Sequence, residues 1–251
     1  MSTVALHHAE PPLILSIDLG TSSTRVLLFD AQGRAVEGVL AQEKASVVTD
    51  GEGRAEENAA ESIARVGRCI DAALQQLGER AAQIGGVAVD TLASSIMAVD
   101  DMFKPLTPLL IYADTRNAAD AVALQRTLNE RAVHERTGCM LRTSYWPARL
   151  AWFQRTQPEL WQRAARWITI GEYLEQCLFG QSRVSYSIAS WSGLLDRQTL
   201  EWDQPLLDVL GITTQQLAPL VDLNQPLHGL QGEYARRWPA LRDVPWFPAL
   251  G

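Results

Sequence analysis

The sequence predicts an α/β domain in which helices flank a mixed β-sheet. Two short apolar segments, 13–17 and 26–29, are rich in branched aliphatic residues and predict the two buried strands of a hairpin. A third strand is expected at 35–45, and helical spacing of apolar residues predicts a long helix that starts at Glu56 and ends at Gly78. The segment 85–90 then predicts another buried strand. A chain of 251 residues can hold this arrangement as one large domain.

The second half of the chain predicts shorter elements. Short strands are expected at 96–99 and 109–112, helices at 117–130 and 146–155, and a further helix that opens at Pro158. An extended segment at Trp167 runs into a helix that Gly180 ends. The many prolines after residue 200 predict a peripheral, loop-rich region without a core of its own.

Composition restricts the classes of function. The formal net charge of -7 argues against nucleic acid or an anionic membrane as the main partner. The 3 cysteines are far apart, which favours reduced thiols and a cytoplasmic protein. The first 12 residues carry no signal-peptide pattern, and we expect residues 1–12 to be a disordered leader.

The polar turn of the hairpin has the chemistry of a phosphate site. Hydroxyl and backbone N–H donors follow a glycine that permits close backbone approach or a positive φ, and a fixed cation comes next. These residues are Gly20, Thr21, Ser22, Ser23 and Arg25. Asp18, at the end of the first strand, suits a Mg²⁺ ion bound to the same phosphate oxygens. A plain polar hairpin turn explains the composition equally well.

A second group of polar side chains follows the strand predicted at 109–112. Asp114 and Arg116 could exchange hydrogen bonds with sugar hydroxyls, and Tyr112 could pack on C–H faces of the sugar. In the alternative interpretation, Asp114 caps the next helix and Arg116 pairs with it.

The order of residues in the hairpin turn, Asp-Leu-Gly-Thr-Ser-Ser-Thr-Arg, resembles the first phosphate-binding motif of the FGGY carbohydrate kinases. This family belongs to the hexokinase, actin and Hsp70 group of ATP-binding folds. The resemblance implies a ribonuclease H-like (actin/hexokinase/Hsp70-type ATPase) domain with a mixed sheet and flanking helices. It also implies ATP and Mg²⁺ as cofactors, a sugar or sugar acid as substrate, and transfer of a phosphoryl group to a substrate hydroxyl.

The resemblance continues downstream and implies a sugar pocket. Tyr112, Asp114 and Arg116 occupy the family's Trp-x-Asp-x-Arg segment, with Tyr in place of Trp. Ser94 stands where many members have a sugar-contacting His, and Tyr145 is near a substrate-contacting Tyr. The segment 105–116 most resembles gluconate-kinase-like members. Outside the expected pocket, Arg149 replaces the usual Lys. The segment 187–192 resembles the family's Ala-Ser segment and is interpreted as packing.

The resemblance covers residues 13–251 and implies an N-terminal, sugar-binding domain. In the family a C-terminal ATP-binding domain follows, and its first turn carries the Asp that acts as general base. That domain is absent from this chain, so the base is expected just after Gly251, no catalytic residue is assigned here, and this polypeptide by itself should be inactive. We also expect Trp246 and Phe247 to be exposed beside the cleft, where they would favour a weak homodimer.

Two other functions remain open from the sequence. A ribonuclease H-like nuclease would use Asp18 and Asp90, both at strand ends, to hold metal ions. A non-catalytic sugar-sensing or scaffold protein would keep only the sugar-binding half.

Overall fold

A computed structural model describes residues 2–251 of the chain. The α-helices are α1 Ala59–Leu77, α2 Ala118–Thr127, α3 Glu130–Thr137, α4 Trp146–Thr156, α5 Pro158–Arg163, α6 Ile170–Phe179, α7 Tyr186–Ser192, α8 Gln204–Leu210 and α9 Gly232–Arg237. The strands are β1 Thr3–Ala5, β2 Leu13–Leu19, β3 Ser23–Phe29, β4 Ala35–Lys44, β5 Val48–Thr49, β6 Ala55–Glu57, β7 Ile84–Asp90, β8 Met97–Val99, β9 Leu109–Leu110, β10 Arg166–Ile168, β11 Val184–Ser185, β12 Leu195–Asp196, β13 Glu201–Trp202 and β14 Leu220–Val221. Short 3-10 helices occupy Leu6–His8, Gly78–Gln83, Thr214–Gln216 and Pro239–Leu241.

The central sheet has 5 strands in the order β1-β4-β3-β2-β7. β2, β3 and β4 pair antiparallel, whereas β7 pairs parallel with β2 and β1 pairs parallel with β4. Alternate residues of β2 are buried, as are Val66, Ile70 and Ala73 of α1 in the same hydrophobic cluster. The predicted hairpin and the mixed sheet are therefore confirmed.

The long helix begins later than predicted. Glu56 and Glu57 belong to β6, which pairs antiparallel with β9. Asn58 is the N-cap of α1, and its side chain accepts the N–H of Glu61 at 3.1 Å. The prediction of a helix from Glu56 was wrong because two acidic residues before an Asn cap look like a first helical turn.

The expected disordered leader is also corrected. Thr3–Ala5 forms β1 at the edge of the central sheet, with Thr3 opposite Ala35 of β4. The Thr3 hydroxyl donates to the Glu37 carboxylate at 2.6 Å. Only Met1 of the predicted leader lies outside the described residues. A strand of 3 residues is too short to give a periodic pattern, so the sequence did not reveal it.

The region after residue 200 contributes to a second core, contrary to the prediction. Leu206, Leu207 and Leu210 of α8 are buried in a hydrophobic cluster that also contains Trp146 and Trp167. Prolines separate the short helices of this region, but the apolar face of α8 still packs against α4.

The last residues extend the central sheet. We call residues 245–250 the C-terminal segment. The Phe247 N–H donates to the Val87 carbonyl at 2.9 Å, and the Leu250 N–H donates to the Val89 carbonyl at 2.8 Å. Trp246 is 3% exposed and packs edge-on against Phe179, which corrects its expected exposure, whereas Phe247 is 38% exposed. The C-terminal segment therefore runs beside β7 as an additional strand.

None of the helices formed by residues 2–251 combines the length and the apolar character needed to cross a membrane.

Candidate functional site

A cleft of about 370 Å³ opens at the carboxyl ends of β2 and β7. These strands are parallel, so their carboxyl ends meet at the same edge of the sheet. Six of the residues predicted from the sequence line the cleft, namely Asp18, Gly20, Thr21, Ser94, Tyr112 and Tyr145. Asp90, Ser144 and Trp191 also line it. Residues predicted for the phosphate site and residues predicted for the sugar pocket thus line one cavity.

The turn after β2 is held by its own backbone. The Gly20 N–H donates to the Ser23 carbonyl at 3.0 Å. A Cβ atom at Gly20 would lie 3.1 Å from that carbonyl oxygen, so close approach, and not a positive φ, is what requires glycine here. Ser22 is exposed outside the cleft wall, and Ser23 is buried with its hydroxyl accepting from the Gln42 amide at 3.0 Å. Thr21 is therefore the hydroxyl of this turn that faces the cleft.

Two carboxylates stand at the edge of the cleft. Asp18 and Asp90 are register neighbours on β2 and β7, and partial burial together with the charge of Asp18 raises the pKa of Asp90. Arg25 lies opposite Asp18 on β3, with 3.6 Å between its Nη1 and the Asp18 Oδ2. Both side chains of that pair are partly exposed, so their attraction is weak. Mg²⁺ prefers one or two carboxylates together with water and phosphate oxygens, and this edge provides the two carboxylates.

The Ser94 segment has an unusual backbone. Ser94 has a φ of 57°, in the left-handed region that favours glycine. Its hydroxyl donates to the Trp191 carbonyl, and its side chain is buried. Non-glycine residues in this conformation need support from their surroundings and are frequent at functional sites.

Trp191 is a cleft residue that the sequence interpretation missed. Its ring is 44% exposed, and its indole N–H donates to the Gly251 carbonyl at 3.3 Å. The family resemblance did single out the Ala-Ser segment that contains Trp191, and this could have pointed to a role in the cleft. That segment was interpreted as packing instead.

Two tyrosines contribute to the cleft from separate segments. Tyr112 is exposed, and Tyr145 is partly buried beside Cys139. Desolvation, together with the neighbouring Cys139 thiol, raises the pKa of the Tyr145 phenol. The phenol therefore stays protonated at neutral pH and can donate a hydrogen bond to a ligand.

Asp114 and Arg116 lie behind the cleft wall. Asp114 is buried, and its Oδ2 accepts the Ala55 N–H at 2.9 Å and an Arg116 N–H at 2.6 Å. Arg116 also donates to Glu56 at 3.0 Å and lies 4.8 Å above the Trp152 ring. The alternative interpretation was therefore right about their pairing but wrong about the helix cap, since Asn117 occupies the cap position of α2.

Arg149 is more deeply buried than Arg116. The side chain comes from α4 and is 1% exposed. Its guanidinium donates to the carbonyls of Ser94, Ile111 and Thr143. Burial lowers the pKa of Arg149 to about 10, so it stays cationic at neutral pH.

Solved structures of kinases share this fold. The gluconate kinase from Lactobacillus acidophilus superposes with a TM-score of 0.88 at 23% identity, covering 95% of this chain and 47% of that chain. The xylulose kinase from Rhodospirillum rubrum gives a TM-score of 0.88 at 20% identity, covering 94% and 48%. The fold is thus the ribonuclease H-like ATPase fold of the actin and hexokinase group, as predicted.

The chain belongs to the FGGY family of carbohydrate kinases, because the model of that family's N-terminal domain matches residues 13–251. The gluconokinase of Bacillus subtilis is 31% identical over 212 residues, which are 83% of this chain and 40% of that protein. The xylulose kinase of Lactococcus lactis is 24% identical over 234 residues, which are 93% of this chain and 46% of that protein. The chain therefore spans less than half the length of these relatives.

Proposed function

We propose that this chain is the sugar-binding N-terminal domain of an ATP-dependent kinase that phosphorylates a hydroxyl of a sugar or sugar acid, with a gluconate-like acid favoured. One observation carries the proposal: the turn at Gly20 and the segments of Ser94, Tyr112 and Tyr145 line one cleft. Phosphoryl transfer needs the attacking hydroxyl in line with the γ-phosphate, so both sites must share a cavity.

The end of the cleft proposed to bind phosphate carries two carboxylates and a nearby arginine. Asp18 would hold Mg²⁺, directly or through water, and Asp90 stands beside it. An Mg²⁺ ion held there would supply the positive charge that offsets charge developing on the transferring phosphoryl group. The turn Gly20–Ser23 would position the transferring phosphate through the Thr21 hydroxyl and the backbone N–H groups that the Gly20–Ser23 hydrogen bond leaves free, and Arg25 would add a cation at its rim.

The sugar end of the cleft combines aromatic and polar groups. Tyr112 and Trp191 offer ring faces to sugar C–H groups, and Tyr145 offers a phenol. Asp114 and Arg116 would support this wall from behind. The 31% identical gluconokinase supports a gluconate-like substrate.

The general base is proposed to be an Asp that follows Gly251 in the complete kinase. In support, the Trp191 indole bonds the Gly251 carbonyl beside the cleft.

Calorimetric titration of the protein with D-gluconate, D-xylulose and glycerol tests the proposal. We expect saturable binding, tightest for D-gluconate. Tyr112→Ala should weaken it by about tenfold or more, since an aromatic contact is lost. Met102→Ala is the matched control, because that side chain is 82% exposed and lies outside the cleft. Failure of the wild-type protein to bind any of the three compounds would reject the proposal.

The register of Asp18 and Asp90 favours a metal-dependent nuclease as a second candidate function, because such enzymes hold metal ions between carboxylates. A magnesium-dependent nuclease activity that Asp90→Asn removes would support it. Sugar binding without nuclease activity would reject it. A scaffold role predicts sugar binding but no turnover by the complete protein.

A further inference from the structure

Arg149 is a buried cation with an unusual set of partners. Within residues 2–251 its guanidinium forms no ion pair, and all its hydrogen bonds go to backbone carbonyls. Its Nη2 donates to Ile111 at 2.7 Å, its Nε donates to Thr143 at 3.2 Å, and its Nη1 donates to Ser94. The Asp114 carboxylate attracts this cation without forming an ion pair with it, and burial still lowers the Arg149 pKa. Burying a charge is costly, so this arrangement needs an explanation beyond packing.

The three carbonyls belong to three separate segments of the cleft wall. Ser94 lines the cleft itself. Ile111 directly precedes Tyr112, and Thr143 directly precedes Ser144 and Tyr145, which also line it. One planar guanidinium thus joins every segment that brings a predicted sugar-contacting residue to the cavity.

We propose that Arg149 is a positioning residue that fixes the three segments 91–95, 111–115 and 142–146 as the sugar-facing wall of the cleft. The inference rests on the proposed function, because the wall is positioned for a sugar ligand. Arg149 does not itself line the cleft, and it acts through the backbone that it holds.

The chemistry of the side chain suits this task. A guanidinium presents five N–H donors in a rigid fork, so it can reach acceptors that diverge in direction, whereas a lysine ammonium donates from one atom. Its bond to the Ser94 carbonyl also supports the left-handed backbone at that residue. Thr143 keeps a second donor, the Asn117 amide at 2.9 Å, and the Ile111 carbonyl also accepts the Asp114 N–H at 3.0 Å, so the Ser94 segment depends most on Arg149.

The helix that carries Arg149 is also held firmly in place. Arg149 stands on α4 among Trp146, Leu150 and Phe153, all buried in the second hydrophobic cluster. The guanidinium therefore links a packed helix to three loops. Small displacements of such loops suffice to weaken a ligand site, since a misplacement of about 1 Å can cost on the order of 10²-fold in activity.

The test compares Arg149→Met, which keeps length but removes all donors, with Arg149→Lys, which keeps the charge. Arg155→Met is the matched control on the same helix, since Arg155 pairs with Asp120 and touches none of the three segments. Hydrogen–deuterium exchange is measured over the three segments and over α1 as a reference. Binding of D-gluconate is measured by calorimetry at a temperature where each variant is folded.

We expect faster exchange confined to the three segments, and D-gluconate affinity reduced about tenfold or more in Arg149→Met and less in Arg149→Lys. Arg155→Met should leave both within about twofold. Equal acceleration of exchange in α1, unfolding of both Arg149 variants, or folded variants with unchanged exchange and affinity would each overturn the proposal. If wild-type protein binds no sugar, the proposed function fails, and exchange alone still decides whether Arg149 fixes the wall.

Discussion

The carboxylates of Asp18 and Asp90 belong to register partners on the adjacent parallel strands β2 and β7, and both residues line one cleft. Neighbouring strands lie about 4.8 Å apart, so the two negative charges repel each other across a short gap. Partial burial and this repulsion raise the pKa of Asp90. A divalent cation bound at this edge would remove the repulsion and lower that pKa again.

The first prediction concerns Asp18 in the complete kinase. Asp18→Asn should lower kcat by about 10²-fold or more and leave the sugar KM nearly unchanged, because metal and phosphate charge are stabilised mainly in the transition state. Steady-state kinetics measure both constants, and Asp101→Asn, an exposed Asp outside the cleft, is the control. An unchanged kcat with a raised sugar KM would place Asp18 in the sugar pocket instead.

The second prediction concerns the 251-residue polypeptide by itself. It should bind D-gluconate but show no sugar-dependent ATP turnover, because we propose that the general base lies outside these residues, as its relatives are more than twice as long, and loss of a general base alone costs about 10²–10⁴-fold. A coupled ADP-release assay with and without D-gluconate measures this. Turnover of about 1 s⁻¹ or more would contradict the expectation.

The third prediction separates structural support from sugar contact at Arg116. Arg116→Met removes the ion-pair partner of the buried Asp114 carboxylate, so we expect a loss of about 3 kcal/mol in unfolding free energy. Arg131→Met, at a side chain that is 88% exposed, should cost less than about 0.5 kcal/mol. Urea unfolding gives both values. A stable Arg116→Met protein that no longer binds D-gluconate would show direct sugar contact.

The fourth prediction concerns pH and Glu172. Complete burial raises the pKa of Glu172 from 4.5 to about 8. The folded protein thus keeps a proton that the unfolded chain loses, and this contribution to stability falls as pH rises from about 4.5 through 8. Glu172→Gln keeps an oxygen for the Thr169 N–H but cannot ionise.

Glu172→Gln should therefore gain stability relative to wild type by roughly 2–4 kcal/mol between pH 5 and pH 8.5. Thermal and urea unfolding across this range measure the difference. Glu159→Gln, at an exposed position in the first turn of α5, should show no such trend. A difference that stays flat with pH would mean that Glu172 ionises normally.

The fifth prediction concerns self-association. Phe247 and Leu250 are 38% and 43% exposed on the C-terminal segment, so we expect weak dimers at high protein concentration. Light scattering over a concentration series should show a rising mean mass that Phe247→Ser suppresses. Val209→Ser, at an apolar side chain that is 53% exposed elsewhere, is the control. Trp246 is buried within its own chain, so it cannot contribute to this association. A constant monomer mass over the series would contradict the prediction.

The sequence predicted those parts of the fold that depend on local patterns. The apolar runs of β2 and β3 and the helical spacing of apolar residues in α1 are encoded within each element. The pairing of Phe247 with Val87 joins residues far apart in the chain, and prolines on both sides of Phe247 hide its extended pattern. Local periodicity carries no signal for such a contact.

In the candidate site, too, residues of a local motif were predicted, whereas residues that depend on contacts between distant segments were not. Asp18, Gly20 and Thr21 were found because they form one contiguous motif with a recognisable order. Trp191 and Arg149 were not assigned roles, because their importance depends on which loops meet around them. Asp114 and Arg116 were placed near the sugar by resemblance, yet their burial and mutual pairing become visible only when Ala55 and Glu56 are brought against them.

The C-terminal segment makes β7 an interior strand, with β2 on one side and residues 245–250 on the other. During synthesis on the ribosome, β2 and β7 emerge long before residue 245 does. The N–H and carbonyl groups on the outer edge of β7 therefore stay unpaired until most of this chain has been translated. Open strand edges invite pairing with other chains, so the nascent protein is exposed to misassembly during this interval.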